Sequence, residues 1–454
     1  MSKSSIVSPA TGAYRQMLRL ALPVLAEQLL FSLVLLTDVW LTGRFLKEAP
    51  QLAAIGLIAY LLWFLNSLFD FVTIGATALT ARFVGAQKLS DARLAMNQSI
   101  LIGIALACMV TLFGFLVANP AIHMLGLESD AAALALRYLD YILPVVPAIM
   151  FQRVGIAALR GAGDMVTAFW VMTTVNLVNI LVSCTLVIGL GPFPSLKWDG
   201  LAIGTAAAYV TGALLVLGIL FRGRSGLRLE IGLLKPLVSM MARLLKIGIP
   251  GGFDVISVIG CNLWFVSLIN RLGNEAAAAH NVAIRLESLG FLPGAAFSLA
   301  ATTLAGQYLG ARQSQHASRS VLHACLTACG IMTSVGIAFY FGGLQLAGFF
   351  LAPEDTVIAR LSADLLRIAG LAMLPLGIEM VLIGALRGAG DTRWPLCFTF
   401  VGFLGIRIPL TYVAIDILDW GVVGAWYAML IDLVARCVMV LFRFFHGGWK
   451  NIQV

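Results

Sequence analysis

The sequence predicts an all-α polytopic membrane protein built as two copies of one six-helix unit. Three observations carry this. Hydrophobic residues make up 60% of the chain and charged residues 11%, with a mean hydropathy of +0.95; soluble proteins carry about 25% charged residues. Many runs reach the roughly 20 apolar residues that a helix needs to cross the hydrocarbon core, and they lack the alternation of a β-barrel. Finally, the heptapeptide Ala158-Leu159-Arg160-Gly161-Ala162-Gly163-Asp164 recurs as Ala385-Leu386-Arg387-Gly388-Ala389-Gly390-Asp391, 227 residues later.

Other positions test the duplication. A shift of 227 takes Pro23 to Pro250, Glu27 to Asp254, Arg44 to Arg271 and Gln152 to Glu379. Val84-Gly85-Ala86-Gln87 matches Leu309-Gly310-Ala311-Arg312 at a shift of 225, a two-residue loop adjustment. A collinear series of this kind marks an internal repeat.

Taken in order, the apolar runs predict twelve spans at 17–43, 53–82, 93–118, 132–158, 166–190, 200–221, 245–270, 277–308, 319–350, 360–385, 395–416 and 421–443. The expected organisation is an N-lobe at 1–221, a basic linker at 222–244 and a C-lobe at 245–454. Loop charges alternate. Lys3, Arg15 and Arg19, then Lys88 between Arg82 and Arg93, then the linker with Arg222, Arg224, Arg228, Lys235, Arg243 and Lys246 are basic. The intervening loops carry Glu128 and Asp130, Glu354 and Asp355, and Asp416 and Asp419. The positive-inside rule places the basic set, both termini and both heptapeptide loops in the cytoplasm. Six spans per half is an even number, so both halves enter from one side and the repeats are parallel.

Several classes are excluded. The net charge of +8 lies in short loops beside spans, which fits membrane orientation and not nucleic acid. The seven cysteines fall inside apolar runs without a CxxC pair, which implies neither disulfides nor a metal. No nucleophile–base arrangement, metal cluster or phosphate loop is visible, so an enzyme is not expected. Met1 to Gly12 lacks the three-part form of a signal peptide, leaving the first span as the insertion signal.

At this point the residues resemble a known family. Paired six-helix halves, a proline early in spans one and seven, and LRGAGD after spans four and ten are similar to the multidrug and toxic compound extrusion (MATE) transporters. Thr37-Asp38-Val39-Trp40-Leu41-Thr42-Gly43-Arg44 resembles that family's D-T-x-x-x-G stretch. Gly75 to Ala86 resembles its second-span ending, and Asn176-Leu177-Val178-Asn179-Ile180 its fifth-span motif. The resemblance implies two lobes around a central cavity and a secondary antiporter. It would export mostly cationic organic compounds in exchange for H+ or Na+, with no other cofactor, as a monomer in the cytoplasmic (inner) membrane. Ser183 stands where many bacterial members carry an aspartate, and Val258 where the sodium-coupled vibrio branch carries an acid. Both departures leave the coupling ion open.

Charged residues inside spans are costly and need a reason. Asp38, Glu27, Asp70, Asn176 and Asn179 are the ion-coupling candidates of the first half. Glu27 and Asp38 are eleven residues apart on one face, roughly 16 Å along the axis. Hard oxygen ligands suit sodium, and a desolvated carboxylate suits a proton; the competing reading is interhelical hydrogen bonding. Phe265 occupies the place equivalent to Asp38. Glu379, Glu287, Asp254 and Gln152 are the substrate-binding candidates; the competing reading pairs the acids with Arg285 and Arg407. His280 reads as a hydrogen-bonded packing residue, and Asp432 with Arg436 as a pair along one helix. Arg160, Gly161, Gly163, Asp164, Arg387, Gly388, Gly390 and Asp391 form the loop motif, expected to serve lobe movement. A lipid-linked precursor flippase and a passive channel or sensor are the competing functions; the former needs a cationic cavity.

Overall fold

A computed structural model describes residues 13–46, 48–124, 129–190, 192–351 and 355–453. Lys3, Glu128, Glu354 and the segment before residue 13, which enter the topology argument, lie outside the described residues. The described chain is helical throughout apart from short connections. Its helices are α1 (Ala13–Leu41), α2 (Ala49–Leu68), α3 (Asp70–Gly85), α4 (Leu89–Met124), α5 (Ser129–Ile142), α6 (Val146–Gly161), α7 (Met165–Ile188) and α8 (Trp198–Arg222). They continue with α9 (Val238–Asn270), α10 (Asn274–Gly310), α11 (Ser314–Gly348), α12 (Thr356–Gly388), α13 (Arg393–Phe400), α14 (Ile408–Tyr412) and α15 (Gly421–His446). Among the described residues ten helical segments are long and apolar enough to cross a membrane. The 29-residue α1 and the 26-residue α15 are further long helices. This is a multi-pass membrane protein.

Three of the expected spans are interrupted, the first two for a local reason. The run at 53–82 breaks at Phe69 into α2 and α3. There Asn66 donates to Leu62 O at 2.7 Å and Ser67 to Phe64 O at 2.6 Å, and such short polar side chains compete with the helical ladder. The run at 132–158 breaks into α5 and α6 at a 3₁₀ turn, Leu143–Val145, where Pro144 and Pro147 remove backbone donors. The run at 395–416 carries π-helical turns at Val401–Arg407 and Val413–Ile417.

The chain divides into two compact units. One is Ala26–Gly252; the other is Phe253–Val454 with the described part of α1 up to Leu25. Two helices therefore change unit along their length. The changes fall after Leu25 and after Gly252, and 252 − 25 = 227, the repeat shift. Each lies just beyond a proline inside its helix, Pro23 in α1 and Pro250 in α9.

In the first unit the early part of α9 packs on α3: a Cβ at Gly75 would stand 2.5 Å from Leu244 O, and Arg243 lies over the Phe83 ring at 5.1 Å. The segment 222–244 belongs to this unit. In the second unit Met17 and Ala21 of α1 are buried in a core with Phe297, Leu304, Leu386 and Phe398. Gln16 accepts from the Tyr308 hydroxyl at 2.8 Å. A second core gathers Phe265, Phe339, Met373 and Trp426.

Candidate ion-coupling site and its paired charges

Thr205 of α8 is the node of a buried polar cluster in the first unit. Its Oγ1 accepts from Asn179 Nδ2 and from the Tyr138 hydroxyl, both at 3.1 Å, and donates to Asp38 Oδ2 at 3.4 Å. A hydroxyl has one proton and two lone pairs, so Thr205 is fully used. Asp38 Oδ1 is left over: it is buried and has no hydrogen-bond partner. So are Asn176 Oδ1, Asn179 Oδ1 and Ser183 Oγ. Asn176, Asn179 and Ser183 share one buried face of α7 at i, i+3 and i+7. Gly204, beside Thr205, lets α8 approach closely enough for its backbone to meet Ser183. Unpaired oxygens in a dry site cost free energy, and a proton or a cation is what such a set can take up.

Glu27, Asp70, Asp254, Glu379 and Asp432 are instead paired with arginines. Arg160 pairs with Glu27, and Arg387 with Asp254 at 2.6 Å. Thr399 also donates to Asp254, at 2.5 Å. Asp70 accepts from Arg153 of α6 at 3.1 Å and from Thr73 at 2.9 Å. In the second unit Arg436 reaches Glu379 at 2.5 Å and Asp432 at 3.0 Å, and Arg407 reaches Asp432 at 2.8 Å. Two acids and two arginines therefore balance in one buried network. Arg436, not the exposed Arg285, is the partner of Glu379. Glu287 is half-buried on α10 and forms no ion pair among the described residues. Gln152 is buried, donating to Met172 Sδ at 3.3 Å. His280 is buried beside Phe265 and Trp426, and its Nδ1 accepts from Trp426 Nε1 at 3.2 Å.

The two LRGAGD loops are built alike. Gly163 (φ 87°) and Gly390 (φ 84°) take left-handed turns that only glycine adopts freely. Gly161 and Gly388 lie directly on the backbones of Thr77 and Thr302, two residues related by the 225 shift. The Thr77 and Thr302 hydroxyls donate to Ala157 O and Gly384 O at 3.1 and 2.8 Å. The arginines are committed to Glu27 and Asp254 as above.

Only the aspartates differ. Asp164 caps α7 by accepting Thr167 N–H at 3.0 Å, and accepts from Arg224 and Ser225, both at 2.8 Å. Burial alone would raise its carboxyl, but these donors together hold it below the usual carboxylate range. Asp391 pairs with Arg443 at 2.8 Å, yet there burial prevails and its carboxyl lies above that range.

Comparison with known proteins gives the wider setting. A model of the MatE family matches residues 23–185 and again 250–413. The chain is 28% identical over 444 residues to a probable multidrug resistance protein NorM of Thermotoga maritima, covering 97% of this chain and 94% of that one. It is 25% identical over 456 residues to the uncharacterized transporter YisQ of Bacillus subtilis, covering 98% and 97%. Among solved structures it superposes on a MATE in complex with MaL6 with a TM-score of 0.87 at 22% identity, over 96% of this chain and 95% of that one. It also matches a MOP superfamily transporter from Pyrococcus furiosus, with a TM-score of 0.89 at 21% identity over 97% of each chain. These likenesses carry the fold.

Proposed function

Because the chain belongs to the MatE family of multidrug efflux transporters, and is thus a transporter and not an enzyme, we propose that it is a secondary antiporter exporting small, mostly cationic organic compounds in exchange for H+ or Na+. Asp38 is the coupling carboxylate. The observation that carries this reading is that buried Asp38, with its Oδ1 unpartnered, forms no ion pair among the described residues. Glu27, Asp70, Asp254 and Glu379 each have an arginine, whereas Asp38 has a hydroxyl and, along α7, three more unpartnered oxygens. A proton on Asp38, or a sodium ion among these oxygens, would neutralise the anion and satisfy the set together.

Glu379 and Gln152, equivalent by the repeat, and Glu287 and Asp254 are the candidates for contact with substrate. A cation would enter the balanced Glu379–Arg436–Asp432–Arg407 network by competing with Arg436. The flippase alternative needs uncompensated basic groups, and Arg153, Arg160, Arg387, Arg407 and Arg436 all face carboxylates. The lobes, 1–221 and 245–454, alternate access in the cytoplasmic membrane with both termini inside. The test is uptake of a cationic dye into proteoliposomes with proton and sodium gradients imposed separately. Uphill accumulation with one gradient is expected; downhill equilibration only, under both, would leave a passive channel.

A further inference from the structure

The segment 222–244 is held more firmly than a tether between repeats needs to be. Asn97 and Gln98, adjacent on α4 and fully buried, capture its backbone. Gln98 Nε2 donates to Leu233 O and Lys235 O at 2.7 and 2.8 Å, and its Oε1 accepts Leu237 N–H at 2.9 Å. Asn97 donates to Arg228 O and accepts Glu230 N–H, both at 3.1 Å. Arg93, a turn earlier, donates to Gly226 O at 2.8 Å and pairs with Glu230 at 3.4 Å.

What this anchoring presents outward is apolar. Ile231 and Val238 are each 78% exposed and Leu237 is 43% exposed, with exposed Arg228 and Lys235 beside them. A rigid aliphatic display toward water is unfavourable, and the depth of the segment supplies another setting. The α4 span, Leu89–Ile122, has 34 residues, about 50 Å at 1.5 Å per residue, against a hydrocarbon core of about 30 Å. Its charged side chains, Asp91 and Arg93, and the amides Asn97 and Gln98 sit near the first end, Asn119 lies near the other, and the long apolar run between them begins at Ile100. Gln98 therefore marks the level where hydrocarbon begins, and the linker backbone bonded to it lies at the headgroup boundary. There aliphatic side chains enter the acyl region and basic ones meet phosphates. The segment has five basic residues, Arg222, Arg224, Arg228, Lys235 and Arg243, against one acid, Glu230.

We propose that 222–244 is an interfacial lipid-binding element in which Ile231, Leu237 and Val238 insert into the leaflet while Arg228 and Lys235 recruit anionic phospholipid headgroups. The bilayer's composition thus acts on the first unit through α4, by way of Asn97 and Gln98.

The test places an environment-sensitive fluorophore on Ile231→Cys or, as a control, on exposed Ser90→Cys. Both carry Cys108→Ser and Cys397→Ser to remove the exposed native thiols. In proteoliposomes the label at 231 should emit to the blue of the label at 90. Lipids brominated high on the acyl chain should quench it several-fold more strongly. The difference should grow when phosphatidylglycerol replaces phosphatidylcholine, and Arg228→Glu with Lys235→Glu should abolish that growth. Emission at 231 equal to that at 90, with quenching by aqueous acrylamide, overturns insertion. An equal response in the two lipids overturns recruitment of anionic headgroups.

Discussion

The Arg387 guanidinium lies 2.6 Å from the Asp254 carboxylate, and the second repeat thereby reproduces the first, where Arg160 meets Glu27. Each pair closes 133 residues of chain. Each acid stands four residues beyond the proline of its helix, Pro23 or Pro250, and so within two residues of the place where that helix changes unit. The loop motif is thus a brace on α1 and α9 as well as a turn.

Removing one side of a buried pair leaves a charge uncompensated, at a cost of about 3 kcal/mol or more. Arg387→Met should therefore lower the thermal midpoint of the purified protein clearly, and Arg387→Met with Asp254→Leu should restore most of it. The midpoints of the single and double variants check this. A double variant as unstable as the single one would mean that Asp254 is needed for a purpose other than pairing.

The loop aspartates should respond oppositely to pH. Asp164 has its carboxyl held below the ordinary range, so its stabilisation is present above the unfolded value and is lost as pH falls through the folded one. Asp391 lies above that range, so its contribution is fullest below the unfolded value and declines as pH rises through the folded one. Relative to wild type, Asp164→Asn should be most destabilising at neutral pH. Asp391→Asn should become relatively more stable as pH rises. Thermal midpoints from about pH 2 to pH 8, reaching to both sides of the usual carboxylate range, would show the two curves diverging; parallel curves would refute the asymmetry.

Glu379→Gln should weaken export of cationic compounds while protein abundance stays near normal, because Arg436 keeps Asp432 at 3.0 Å. Asp432→Asn orphans part of both Arg407 and Arg436 and should cost about 3–5 kcal/mol. Abundance and dye-binding assays on the two variants separate the roles. Collapse of Glu379→Gln in the membrane would make Glu379 structural, and unchanged dye affinity would remove it from the substrate site.

Topology is tested by cysteines at Ser90, Ser225 and Ser314, which should resist an impermeant thiol reagent in intact cells, while one at Ser129 should react. Labelling of the first three from outside would reverse the orientation drawn from loop charges.

The duplication was legible because a shift of 227 preserves residues in order, and the helices because their apolar runs exceed a bilayer's thickness. Candidate acids were legible because charge in such a run is conspicuous. Their partners were not. Thr205 lies 167 residues from Asp38, in a run of alanines and glycines whose only signal is small size. Arg153 and Arg436 meet Asp70 and Glu379 across helices, 83 and 57 residues away, and helical periodicity speaks only of neighbours three or four apart. The breaks at Phe69 and in the eleventh run depend on side-chain-to-backbone bonding and π turns that hydropathy does not register.

Asp38→Asn is the variant on which the coupling assignment rests. Asparagine matches aspartate in shape, so its carbonyl can keep the Thr205 hydroxyl now at 3.4 Å. Its amide then points where Asp38 Oδ1 has no partner, with the unpartnered oxygens of Asn176, Asn179 and Ser183 along the facing stretch of α7. Donation to one of them is worth about 1 kcal/mol, so the variant should fold, reach the membrane and melt no lower than wild type. It cannot, however, exchange between anion and neutral forms, nor hold a sodium ion by charge. Uphill export should therefore fall to background while counterflow exchange without an ion gradient survives. Thr205→Val separates the charge from its setting: it leaves the carboxylate but strips acceptors from Asn179 and Tyr138, at a cost of about 1–3 kcal/mol, and should slow export without abolishing it. Dye uptake and counterflow measured on the same proteoliposomes decide the matter. Uphill export by Asp38→Asn at the wild-type rate would end the assignment and pass the role to Glu27 or Asp70.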